Sequence, residues 1–340
     1  QPEHADRPSY TTTWTGPTSP KNKDELSRMT VQELVGYLKT WKPKNDWMSP
    51  SAEGLGRILT DVVRDDPQRF AKEAVSFKEV HPTYVRSLIE GLAGTMMAPV
   101  LELCQWVVQQ PEDVRVRFPE FSQDCDPDWG WTRKSIARLL SACFSKDSVT
   151  LDQRNGVWDI LCPLTHDSDP TPEEESKYKG DMETLAINTI RGEAIRVVME
   201  YALWVRRHFE NVPDAQQKIS GGFDEIPEVR EVLDWHLDPE NDPSIAIRSV
   251  YGQWLPWLVQ LDSKWVRENL AKIFPGKKSL RPYYDAAWET YIRFCEPYNN
   301  VFGALRKQYE AAVELLETSK AEDDSARHLA KHLMVFYWRK

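Results

Sequence analysis

A chain of 340 residues with 41% hydrophobic and 28% charged residues is long enough to bury a large core, as one long domain or as two to three compact ones. Its net charge of −10 argues against a surface built to grip phosphate backbones, and with no run of 18 apolar residues no membrane span is expected. The five cysteines, Cys104, Cys125, Cys143, Cys162 and Cys295, are odd in number and form no CxxC pair. Four of them lie in apolar helical patterns, which argues for free thiols and a cytoplasmic setting.

Residues 1–22 carry Pro2, Pro8, Pro17 and Pro20 among Thr and Ser, which predicts an extended arm or linker before a helical domain over 23–340. With neither a secretory signal pattern nor an initiator Met, the chain reads as a piece of a longer or processed polypeptide. Thr30 with Glu33 forms a capping box ahead of "VQELVGYLKTW". Ser49, Pro50 and Ser51 introduce a second helix, whose Leu55, Ile58, Leu59, Val62 and Val63 make one buried stripe.

The segment "LTDVVRDDPQRFAKEAVSF", residues 59–77, returns 196 positions later as "LPWLVQLDSKWVRENLAKIF", residues 255–274. Leu59 falls on Leu255, Val63 on Val259, Phe70 on Val266 and Phe77 on Ile273, and Asp66 falls on Asp262. Each copy encodes an apolar helix, an Asp-marked turn and a second helix that the Asp caps, with Pro67 at the first helical position in the first copy. Weaker helix pairs read at 82–94 with 98–109, 130–145 with 152–163, 188–209 with 226–237 and 282–294 with 299–317, before a last helix near 322–339. Val-, Ile- and Thr-rich alternation is missing, so the prediction is all-α with no substantial sheet.

This helix, Asp turn, helix pattern resembles the HEAT and armadillo repeats, and the resemblance implies an α-solenoid of antiparallel helix pairs. The chain as a whole is also similar to helical regions of large multidomain bacterial proteins, antiphage defence proteins among them. Two stretches depart from a regular repeat: "QPEDVRVRFPEFSQDCDPD" at 110–128, and the acidic "THDSDPTPEEESKYKGDME" at 165–183. Loops of that length are functional or mobile, and the acidic one reads as either a solvated loop or a dock for a basic partner.

No catalytic residue and no metal or cofactor site is assigned. His328 and His332 sit four apart, but Leu329 stands where a zinc-protease motif needs Glu and no third ligand is near, so they read as solvated or capping. "FPGKKS" at 274–279 lacks the first glycine of a phosphate loop, with Ala271 in its place, and a helix precedes it. Asp124, Asp126 and Asp128 lack the Gly and Glu of a calcium loop, and Asp128 reads as a helix cap. Among 14 tryptophans, Trp106, Trp204, Trp254, Trp257, Trp265 and Trp288 read as core. Trp129, Trp131, Trp235 and Trp338, beside turns or the terminus, are candidate binding anchors, with Arg206 and Arg207 as charge partners.

The expected function is a non-catalytic interaction or scaffold module that recognises a protein partner or an adjoining domain of the same chain. Two alternatives stand beside it: an enzyme whose dispersed acids and histidines meet in space, or a nucleic-acid-binding solenoid with a hidden row of cations. The apolar end "LMVFYW", residues 333–338, has no stop signal or polar cap, and the chain is expected to continue past Lys340.

Overall fold

The computed structural model describes residues 16–44, 49–111, 124–316 and 324–339. Of these, 74% are helical and none is in a strand. The predicted 110–128 insertion therefore falls mostly outside the described residues, as does the arm before residue 16.

The first helices are α1 (Lys23–Ser27), α2 (Val31–Thr40), α3 (Ala52–Asp65), α4 (Pro67–Lys72), α5 (Pro82–Leu92) and α6 (Ala98–Val108). Next come α7 (Gly130–Lys146), α8 (Arg154–Thr165), α9 (Pro172–Lys177), α10 (Met182–Asn188) and α11 (Ile190–Phe209). They are followed by α12 (Ala215–Gly221), α13 (Pro227–His236), α14 (Ile245–Gln253), α15 (Leu255–Leu261) and α16 (Ser263–Ile273). The last three are α17 (Arg281–Phe294), α18 (Asn299–Leu316) and α19 (Asp324–Trp338).

Local chemistry sets many of the starts. Thr30 accepts from the Glu33 N–H while Glu33 reaches back to the Thr30 N–H, closing the capping box of α2. Ser51 caps α3. Asp66 caps α4 and Asp262 caps α16, so both copies of the repeated unit turn where the sequence places the turn.

Helices α3, α5, α7, α11, α14, α17 and α19 follow one another, each packing on the next. Gly56 faces Ser87 and Gly91 faces Val63, so contacts advance in step and α3 runs parallel to α5. Likewise Gly130 meets Ile190 and Phe144 stacks on Trp204, so α7 runs parallel to α11. Gly252 meets Ala287 while Arg248 lies over Tyr283, giving α14 and α17 the same relation. The densest packing therefore joins helices separated by intervening elements, and consecutive ones pack less extensively. A continuous apolar core runs from Leu26 to Phe336. Among the described residues no helix is long and apolar enough to cross a membrane.

The acidic insertion is tied down by its own carboxylates. Asp169 accepts from the Ile190 N–H at 2.8 Å, at the start of α11. Glu175 accepts from the Ile245 N–H (2.5 Å) and the Ser244 hydroxyl (2.6 Å), at the start of α14. Asp167 pairs with Arg133 at 3.2 Å. Orphan N–H groups at two helix starts thus receive charged acceptors from one loop, which the sequence reading took to be solvated or waiting for a basic partner.

Candidate functional site

Helix α19 has two faces. Leu329, His332 and Phe336 recur at helical spacing and are buried. Phe336 packs on Phe302 at 4.2 Å between ring centroids. His332 lies between two helices: its Nδ1 is 2.7 Å from the Tyr309 hydroxyl and its Nε2 is 2.9 Å from the Cys295 carbonyl. A carbonyl only accepts, so Nε2 carries the proton and Nδ1 accepts from Tyr309. Tyr309 in turn accepts from Tyr291 at 2.9 Å. Burial, the largest influence, holds His332 below the ordinary imidazole range, in keeping with this neutral tautomer. His332 is thus a buried group bonded to the carbonyl of Cys295, the C-cap residue of α17, which corrects the solvated side of its reading and keeps the capping one.

The other face borders an open groove of about 500 Å3 between α19 and the end of α17. Ile292, Met334, Val335 and Trp338 supply its apolar lining. Arg293, Lys331 and Glu296 bring charge to it. Within the apolar lining, Met334 is 60% exposed and Trp338 79%. Burial pushes the Cys295 thiol, also in the lining, up to about 12, so it remains a proton donor, and it bonds the Gln253 carbonyl at 3.1 Å.

The most concentrated acid and histidine pair lies elsewhere. His236 Nδ1 is 2.6 Å from Asp242, both are buried, and Arg191 approaches the same carboxylate at 3.4 Å. The rings of Trp235 and His166 pack against His236. This cluster closes the joint between α13 and α14. A smaller cavity of about 230 Å3 near Arg191, Ser244 and Glu175 lies beside the docked acidic loop.

The sequence-nominated anchors do not form one surface. Trp129 is buried and meets Trp106 edge to face at 5.3 Å, because α7 begins where it lies over α6; this corrects its reading as an exposed anchor. Trp131, two residues on, is 55% exposed with Arg86 over its ring. Arg207 donates to the Phe144 carbonyl at the far end of α7, about 20 Å from Trp131 along the helix, and acts there as a C-terminal partner. Arg206 borders a very small cavity with Phe209 and Lys218. Trp235 is half-buried, and Trp338 alone among the six adjoins the groove. Trp257, expected in the core, is 45% exposed, since Leu255, Leu258 and Val259 take the inward face of α15 and residue 257 points the opposite way.

Charges on the edges of α3, α5, α7 and α11 alternate in sign. Arg57 pairs with Glu53, Arg86 with Glu53 and Asp126, Arg138 with Glu193, and Arg196 with Glu193 and Glu183. Asp126 is buried against Arg86 and Thr83, while Asp128 accepts from the Gly130 N–H at the start of α7. Among the described residues no three His, Cys, Asp or Glu side chains gather as a metal site. All five cysteines are free.

No family model, curated protein or solved structure matches the chain.

Proposed function

We propose that the chain is a non-catalytic helical-repeat module, an α-solenoid of the HEAT type, that recognises a protein partner or an adjoining domain of its own polypeptide in the cytoplasm. The observation that carries this reading is the open groove on α19, where Met334 and Trp338 are each more than half exposed in an apolar lining. Large exposed aromatic side chains beside a groove are what interface hot spots are made of. The Asp-capped unit written twice, and neighbouring helices running in one direction, support the repeat character.

The enzyme alternative has less support, because its best acid and histidine pair, His236 and Asp242, is sealed under Trp235 and His166. Paired charges of alternating sign weigh against a nucleic-acid track. Hydrogen exchange on the chain, alone and with a partner that co-purifies from its host, tests the proposal. Protection over α17 and α19 supports it. Turnover of a small substrate by the isolated chain, with no protein protecting any surface, overturns it.

A further inference from the structure

Resting on that reading, we infer that the α17/α19 groove takes an amphipathic helix of a partner protein whose apolar stripe is flanked by acidic residues. The groove side of α19 is Lys331, Met334, Val335 and Trp338, spaced by three, four and seven. That stripe is about 10 Å long, two helical turns, and His332, from the buried stripe of Leu329, His332 and Phe336 that holds α19 to the body, also reaches the lining. Two turns of anchors at this spacing are what a helix lying in a groove engages.

Charge selects the occupant. The chain carries 53 acidic against 43 basic residues, yet the rim of this groove holds Arg293 and Lys331 against the single carboxylate of Glu296. Among the described residues neither Arg293 nor Lys331 forms an ion pair, a state they share with Arg267, Lys272, Lys278 and Lys307, but of these six they alone line the groove. Arg293 lies over the exposed Phe294 ring at 5.0 Å, and Asp181 acts on it without forming an ion pair. Two cations with no ion pair among the described residues, on the edge of an apolar groove in an acidic protein, favour a partner with carboxylates on both sides of an apolar stripe, and repel the same stripe flanked by lysines.

The test uses the whole chain and two labelled helical peptides with one shared apolar face, the first flanked by Glu and the second by Lys. The Glu-flanked peptide should bind, with Trp338 emission shifting to the blue, and the Lys-flanked peptide should bind about tenfold more weakly or not at all. Lys331→Glu should weaken the Glu-flanked peptide by about tenfold, as should Trp338→Ala. Both side chains are solvent-facing, and unchanged helical circular dichroism would show that the variants fold. Equal binding of both peptides, or binding of neither, overturns the inference. So does a concentration-dependent dimer abolished by Trp338→Ala, which would make a second copy the occupant. Uptake by phosphatidylglycerol vesicles without peptide binding would make it a membrane surface and has the same effect. A protein partner protecting α3 to α11 while the peptides fail would sink this inference and leave the interaction module standing.

Discussion

The two copies of the repeated unit share an outline and differ at its joint. In both, a glycine lets the first helix press on a later one, and these glycines, Gly56 and Gly252, are themselves 196 residues apart. In both, an aspartate caps the returning helix. The first copy keeps its leading helix α3 whole over 14 residues, and Thr60 shares its hydroxyl between the carbonyls of Gly56 and Ser87 at 3.1 Å each. The second copy has Pro256 where the first has Thr60, and the leading helix breaks into α14 and α15. Proline has no N–H for the carbonyl four residues back, that of Gly252. The Cys295 thiol, reaching over from the end of α17, donates to the Gly252 carbonyl at 3.6 Å and the Gln253 carbonyl at 3.1 Å. One outline therefore tolerates an intact or a broken helix, provided that a side chain satisfies the backbone at the joint.

The glycines offer the hardest test of this equivalence. A Cβ at 252 would lie 2.0 Å from the Ala287 carbonyl oxygen, which is backbone and cannot rotate away. Gly252→Ala should cost about 3 kcal/mol or more in denaturant unfolding. At 56 the obstacle is the Ser87 hydroxyl at 2.6 Å, a side-chain atom. Gly56→Ala should cost about 1–2 kcal/mol, and Ser87→Ala in the same chain should recover most of it. Equal costs, with no rescue, would show that the two crossings are not equivalent.

The caps come next. Asp262 accepts from the N–H groups of Lys264 and Trp265, and from that of Phe223 in the turn before α13, whereas among the described residues Asp66 accepts from the Arg69 N–H alone. Asp262→Ala should therefore cost about 2 kcal/mol and Asp66→Ala about 1 kcal/mol, read as midpoint shifts at constant m-value.

A smaller effect probes the joint. Cys295→Ala should cost about 1 kcal/mol by removing the thiol bond to the Gln253 carbonyl. In a Pro256→Ala background, where an N–H returns at 256, the same change should cost measurably less, and a double-mutant cycle with zero coupling would sink this account of the break.

Acid gives the last test. The His332 value is lowered by burial from an ordinary 6.5, so below 6.5 the unfolded chain binds more protons than the folded one. The stability this histidine contributes is present above that value and is lost as pH falls through the window beneath it. Amide protection in α17 and α19 should weaken on acidification through that window, and His332→Gln should flatten the dependence.

How much of this was legible beforehand follows from range. The starts of α2, α3, α4 and α16 could be read because Thr30, Ser51, Asp66 and Asp262 bond N–H groups within three residues of themselves. The all-helical class could be read because apolar spacing of three and four is written along the chain. Asp169 and Glu175 were illegible as caps because the N–H groups they meet lie 21 and 70 residues away. Trp129 and Trp257 were misjudged for the same reason: an apolar pattern says that a face is buried, and the helix opposite decides which residue meets it. The sequence by itself determined the helices, several of their caps and the recurrence of one unit, all properties of neighbours along the chain. Tertiary structure decided that helices separated by intervening elements pack in parallel, that the acidic loop serves two distant helix starts, and that Lys331 and Trp338 share a groove with Arg293, since each depends on segments meeting across loops whose closure no local pattern encodes.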